Sequence, residues 1–211
     1  MWIPAALGLV GSLLGGCSGA DRVIPLEIRA LPPAVQAAPS ERDTLGFAVA
    51  PLRDARPEGS RLGSHTQLWV TKAYFNIEGG EIGDIAAQVF IDHLKHEKGW
   101  RAWLAKPGVA PPEGRPYVTL TGSLLECAVE VRGWLAITTM TVRTKLAFEL
   151  SGAGREKPID LTVKGEKSEW TFGFDRHGVE TLLNKALLES LQEFLADARM
   201  KELNRQAREG A

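Results

Sequence analysis

The sequence predicts an α+β domain, in which an antiparallel sheet meander carries two main helices packed on one face, behind a flexible N-terminal tether. Two long runs of alternating apolar and polar residues, at 117–131 and 135–150, predict paired strands. Two segments with apolar residues at helical spacing, at 84–98 and about 178–201, predict the helices. A proline-rich stretch at 18–43 shows neither the alternation of a strand nor the spacing of a helix, and it predicts the tether.

Three strands are predicted before the first helix. "VIPLEIRA" at 23–30 alternates enough for an edge strand, where Pro25, which has no N–H, is tolerated. "LGFAVA" at 45–50 is small or apolar on both faces, which is typical of a central strand. After a loop rich in glycine and arginine, "TQLWVTKAYFNI" at 66–77 combines aromatic and β-branched residues and predicts the next strand.

The first helix is expected from Asp84 to Lys98. Asp84 is a favourable N-cap residue, and Gly99 stands where helices commonly end. Apolar residues repeat at helical spacing along one side, namely Ile85, Ala86, Val89, Phe90 and Leu94. "GWRAWLAKP" at 99–107 then predicts a short edge strand.

Residues 117–172 are expected to form three consecutive antiparallel strands, with the first turn near Arg132 and Gly133. Alternate residues of the second strand form one largely apolar face: Ala136, Thr138, Met140, Val142, Thr144, Leu146, Phe148 and Leu150. The last helix carries an apolar stripe that must bury against this face: Val179, Leu182, Leu183, Ala186, Leu187, Leu191, Phe194, Leu195 and Ala198.

The N-terminus predicts a lipid anchor. Residues 1–16 contain no charged side chain, and the apolar run at 3–14 is shorter than the roughly 20 residues that span a bilayer. The run ends in Leu14-Gly15-Gly16-Cys17, which resembles the lipobox of bacterial lipoproteins. The resemblance implies cleavage before Cys17 and a diacylglycerol on its sulfur. A signal peptide normally opens with Lys or Arg, which are absent here, so an upstream start, a plain secretory signal and a buried helix remain alternatives.

Four segments follow from this interpretation: a lipoprotein signal peptide at 1–16, a lipidated Cys17 with an extended linker at 17–43, a domain at 44–200 and a charged tail at 201–211. Because Ser18 and not Asp follows the cysteine, the lipoprotein resemblance implies the outer membrane, with the domain facing the periplasm. The 25 basic and 26 acidic residues nearly cancel, so no nucleic-acid partner is expected. Cys127 is expected to be a buried, inert thiol.

The order of elements and several stretches resemble the YajG-like family of bacterial envelope lipoproteins. The stretches are "LGFAVAPLRDARP", Leu62-Gly63, "HLKHEKGW" and "VETLLNKALLESLQEFL", so the resemblance covers about residues 44–198. The chain is more loosely similar to transport-auxiliary and lipopolysaccharide-assembly lipoproteins. The resemblance implies an envelope location and a non-catalytic role, and names no ligand.

Two features are candidate binding sites. The loop with Arg53, Asp54, Arg56 and Arg61 is a candidate docking loop for carboxylate or phosphate groups, because arginine presents a planar fork of donors. The alternative is a solvated loop paired internally through Asp54. Trp134, beside the expected hairpin turn, is a candidate interface anchor.

Catalytic and metal sites are not expected. His93 and His96 lie three residues apart without the spacing or the glutamate of a zincin, and His93 falls on the apolar side of its helix. No Gly-x-Ser-x-Gly elbow occurs, and His65 and His177 are expected in loops. The sequence therefore favours a non-enzymatic protein without cofactor, anchored by its lipid, with a binding or scaffolding role beside an unknown envelope protein. The alternative is a carrier for a lipid or another apolar ligand.

Overall fold

The computed structural model describes residues 22–28, 45–57, 59, 61–67, 71–98, 100–106, 117–152 and 157–209. Cys17 and the predicted signal segment lie outside these ranges. Within the ranges the elements follow in the order β1 (Arg22–Leu26), β2 (Gly46–Val49), β3 (Arg53–Asp54), β4 (Arg61–Gln67), β5 (Thr71–Ile77), α1 (Ile82–Lys98), β6 (Arg101–Leu104), β7 (Tyr117–Trp134), β8 (Ile137–Gly152), β9 (Ile159–Phe172), α2 (Arg176–Ala196) and α3 (Ala198–Glu209).

The strands form one mixed sheet around the long strand β7. On one side, β8 pairs antiparallel along β7, and β9 pairs antiparallel with β8. On the other side, β2, β3 and β4 follow one another along β7, and all three are parallel to it. The predicted meander from β7 to β9 is therefore confirmed, but the prediction of an antiparallel sheet is wrong for the N-terminal strands.

Parallel pairing explains the role of the segment before β7. Strands β6 and β7 both pair in parallel with β2, and α1 stands between β2 and these partners in the chain. A parallel pair needs a crossover connection, most often a helix, and α1 lies in that connection. β1 joins the edge of the sheet in parallel with β5, with Leu26 fully buried, so an edge strand lies within the segment predicted as linker.

Three element boundaries differ from those that the sequence predicted. The turn between β7 and β8 lies at Leu135, whose φ is 53°, and not at Arg132 and Gly133. Helix α1 begins at Ile82, and the amides of Asp84 and Ile85 donate to the carbonyl of Glu81, so Asp84 is not the N-cap.

The third difference concerns the last helix, which is two helices. Asp175 caps α2 and accepts hydrogen bonds from the amides of His177 and Gly178. The chain breaks at Asp197 and continues as α3, in which Met200 and Leu203 are buried. No helix among the described residues has the length and apolar character needed to cross a bilayer.

Both main helices pack on the same face of the sheet. The rings of Phe90 on α1 and Phe194 on α2 lie 5.4 and 5.0 Å from the ring of Phe148 on β8, and 5.2 Å from each other. All three side chains are buried. The prediction of two main helices is confirmed, and Phe148 belongs to the strand face that the sequence assigned to the core.

Helix α2 lies directly on the backbone of β9. A Cβ atom built on Gly165 would lie 2.0 Å from the carbonyl oxygen of Ala186. Beside this contact, the hydroxyl of Thr144 lies 2.6 Å from the hydroxyl of Ser190, and it donates to the carbonyl of Ala186. The two buried hydroxyls are thus paired, and helix and sheet are in direct contact at this point.

Candidate functional site

The face of the sheet away from the helices is the candidate binding face. On β8 its side chains alternate with the buried ones, from the β7–β8 hairpin to the opposite end: Ile137, Thr139, Thr141, Arg143, Lys145, Ala147 and Glu149. Apolar residues therefore stand at the hairpin end, two cations stand in the middle, and an acid stands at the far end. We call this surface the open face.

A groove of about 500 Å³ occupies the middle of the open face. Along the edge of β7, β3 pairs as far as Leu124 and β4 begins to pair only at Val129. A β-bulge interrupts the pairing of β7 with β8 over the same stretch, between Leu124 and Glu126. The bulge and the gap between two short strands together leave the groove.

Cations outnumber acids around this groove. The groove is lined by four cations, Arg56, Arg61, Arg143 and Lys145, and by two acids, Glu126 and Glu130. Arg143 is half-exposed and pairs with Glu166 at 3.1 Å. Lys145 makes no ion pair with any residue that the structure describes. We call this site the cationic groove.

Within the predicted docking loop, Arg56 is held by the loop itself. Its guanidinium contacts both carboxylate oxygens of Asp54, at 2.8 and 2.7 Å, and donates to the carbonyls of Gly59 and Arg61. The Arg56 side chain is only 5% exposed. The hydrogen bonds from Arg56 hold the pKa of Asp54 below its usual value. The Asp54–Arg56 pair thus follows the internally paired alternative, and it fixes the shape of the loop.

The other two arginines of the loop face different grooves. The Arg61 guanidinium lies 3.9 Å from the centre of the Tyr74 ring and lines the cationic groove. Arg53 lines a second groove of about 460 Å³ with Glu149 and Asp160 at the far end of the open face. The structure therefore brings Arg56 and Arg61 to one groove and separates Arg53 from them.

An exposed apolar patch covers the hairpin end of the open face. Trp134 pairs with Ile137, Ile137 pairs with Phe172, and the next row places Trp170 beside them. The exposed fractions are 52% for Trp134, 76% for Leu135, 49% for Ile137, 64% for Trp170 and 79% for Phe172. We call these five residues the apolar patch. The sequence predicts only Trp134 as an interface residue, because Trp170 and Phe172 come beside it only through the register of β8 and β9.

The structure places Cys127, His65 and His93 in three different environments. Burial raises the pKa of the Cys127 thiol to about 12, so it stays protonated at neutral pH. His65 lies on β4, not in a loop, and stacks on Phe174 with ring centres 4.4 Å apart. Burial, followed by the charge of Arg22, lowers the pKa of His65. His93 is buried, and the part of the chain that the structure describes holds no group of three or more His, Cys, Asp or Glu side chains suited to a metal.

No family model matches the chain, and no curated protein matches it either. Among solved structures, an uncharacterized protein matches 89% of this chain and 100% of its own, at 15% identity and a TM-score of 0.37. A protein from Helicobacter pylori, described as a candidate neuraminyllactose-binding hemagglutinin homolog, matches 84% of this chain and 97% of its own, at 10% identity and a TM-score of 0.40. Membership of the YajG-like family stays a prediction.

Proposed function

We propose that this chain is an envelope lipoprotein, anchored through a lipid on Cys17 in the outer membrane, whose periplasmic domain has a non-catalytic binding or scaffolding role. One observation carries the binding role. Helices α1 and α2 cover one face of the sheet, and the opposite face, which no described helix covers, bears the cationic groove beside the predicted docking loop. The surface left for a partner is therefore the open face.

The charges of the groove indicate what the partner presents. Arg56 is paired with Asp54 and Arg143 with Glu166, whereas Lys145 makes no ion pair with a described residue and can meet an incoming group. Guanidinium and ammonium groups bind carboxylates and phosphates, and such pairs steer association more than they add affinity. A partner that carries carboxylate or phosphate groups on a protruding segment fits this groove.

The packing counts against the alternative of a lipid carrier. A carrier needs an apolar cavity of roughly 300 Å³ or more between helices and sheet. Here α2 touches β9 at Gly165. The buried side chains of α2 are at most 3% exposed at Leu183, Leu191 and Phe194. Both grooves described above lie on the other side of the sheet.

The anchor is tested by Cys17→Ala. We expect this variant to lose the added lipid mass and to move from the membrane fraction to the soluble fraction, because no other acceptor thiol is accessible. Cys127→Ala is the matched control, since it removes the buried cysteine and leaves Cys17 intact. Unchanged mass and unchanged membrane fractionation of the Cys17→Ala chain would refute the lipoprotein proposal.

The binding role is tested by reversing one charge in the groove. We expect Lys145→Glu to lose the protein that co-purifies with the wild-type chain from its own envelope, as seen by native mass spectrometry. Lys185→Glu on the exposed side of α2 changes the net charge equally and should keep the partner. If both variants keep the partner, the cationic groove is not the docking site, and a co-purifying lipid would favour the carrier.

A further inference from the structure

The apolar patch is a continuous surface on rigid elements. Trp134, Ile137 and Phe172 form one row across β7, β8 and β9, and the rings of Trp170 and Phe172 meet edge to face with centres 5.8 Å apart. Exposed apolar patches of this kind mark interaction sites with proteins or membranes. Tryptophan in particular suits the interface of a bilayer, where its ring is buried and its N–H stays near water.

The strand that follows Cys17 enters the sheet at the same end. Arg22, the first residue of β1, pairs with Ala73, which pairs with His65, which in turn pairs with Val131. Val131 stands three residues before Trp134 on β7. Because β1 is parallel to β5, and β5 begins beside Gln67 and Gly133, Arg22 and the start of β1 lie at the hairpin end of the sheet.

The distances allow a lipid on Cys17 and the patch to meet one bilayer. Four residues lie between Cys17 and Arg22, and these five residue steps span at most about 17 Å. Four strand spacings separate β1 from β8 in the sheet, which is about 19 Å. A short connection therefore keeps the hairpin end close to the membrane and leaves the far end of the sheet directed away from it.

We propose that the apolar patch, Trp134, Leu135, Ile137, Trp170 and Phe172, rests in the interface of the phospholipid bilayer to which Cys17 is anchored. The proposal rests on the lipid anchor of the proposed function, and it adds an orientation. The hairpin end of the sheet faces lipid, and the cationic groove lies beside the membrane surface, open to a partner. Docking of a second protein or of a second copy on the patch is the competing outcome.

The test attaches the chain to vesicles chemically, so that it does not depend on lipidation in the cell. The chain from residue 17 onward contains every described residue, and its Cys17 thiol is coupled to a maleimide phospholipid in phosphatidylcholine–phosphatidylglycerol vesicles. Cys127 stays unreacted because its thiol is buried and protonated. All variants carry Trp69→Phe, which leaves Trp100, Trp103, Trp134 and Trp170 as fluorophores. Vesicles with brominated acyl chains then quench tryptophans that reach the bilayer.

We expect brominated vesicles to quench the tryptophan fluorescence of the parent chain. Most of that quenching should be lost in Trp134→Phe/Trp170→Phe, a variant whose patch stays apolar. Trp100→Phe/Trp103→Phe is the matched control and should keep the quenching, because β6 pairs with β2, which pairs with the opposite end of β7. Phe172→Glu should weaken the quenching of the remaining patch tryptophans, because it places a charge in the membrane interface.

Two results would overturn the orientation. The first is equal quenching in the Trp134→Phe/Trp170→Phe chain and the parent. The second is a stable dimer in vesicle-free solution, seen by sedimentation, that Phe172→Glu dissociates. The maleimide coupling supplies the anchor in either case. Failure of lipidation in cells, seen by mass, therefore refutes the proposed function separately from this result.

Discussion

Phe194→Ala is expected to lower the free energy of unfolding by about 3–5 kcal/mol. The Phe194 ring is fully buried and contacts Phe90 on α1 and Phe148 on β8, so its loss leaves a cavity where both helices meet the sheet. Such a loss is a large part of the 5–15 kcal/mol by which domains are usually stable. Urea denaturation of the purified chain, followed by circular dichroism, measures it.

The neighbouring Gln192→Ala serves as the control, because Gln192 is exposed on the same helix. Its effect should stay within about 0.5 kcal/mol. A Phe194→Ala chain as stable as the control would mean that the side chain has little packing to lose. That result would contradict a filled core and would favour a ligand cavity under α2.

Long elements could be predicted from the sequence because their patterns repeat often enough to exclude other structures. In β8 the alternation from Ile137 to Leu150 separates the buried residues from the outward residues without error. The stripe predicted for α2 contains most of its buried residues, including Leu183 and Phe194, but Leu195 is only partly buried and Ala198 is exposed. The break at Asp197 cannot be predicted from this pattern, because α3 continues the helical spacing with Met200 and Leu203.

The short strands could not be predicted in the same way. β3 has two residues, and β4, "RLGSHTQ", has one buried residue and no apolar alternation. Their positions are fixed by the free edge of β7, a partner more than 60 residues away in the chain. Parallel pairing of this kind depends on long-range contacts, which leave no local pattern. The local patterns of the long strands therefore predict an antiparallel sheet, and the parallel strands leave no comparable signal.

In the candidate site, too, the sequence predicts which residue types are present but not how the fold arranges them. Arginines in a loop predict charge, but the direction of each side chain depends on the fold. The inward position of Arg56 follows from Asp54 and from the carbonyls of Gly59 and Arg61. Predicting the apolar patch requires the pairing of Trp134 with Ile137 and of Ile137 with Phe172. The pattern of a single strand does not give this pairing.

Gly165→Ala is expected to destabilise the domain by about 3 kcal/mol or more, at or above the upper end of the usual cost of overpacking. The added Cβ would lie 2.0 Å from the carbonyl oxygen of Ala186 and 2.8 Å from the hydroxyl oxygen of Ser190. The first atom belongs to the helix backbone and cannot rotate away, so α2 as a whole must lift from β9. Lifting would also lengthen the Thr144–Ser190 hydrogen bond and open the core above Phe148.

Gly133→Ala is the matched control, because it adds the same methyl group to a strand glycine whose nearest neighbour, Cγ of Gln67, would be 3.5 Å away. Alanine at such a position should change stability by no more than about 1 kcal/mol, and reduced freedom of the unfolded chain favours a gain. Thermal unfolding of the two variants therefore separates loss of helix contact from the general effect of replacing glycine. If both variants unfold at the wild-type temperature, α2 can move away from β9 at little cost. A helix that moves so easily could admit a lipid between itself and the sheet, and the carrier would then replace the scaffold as the better account of this domain.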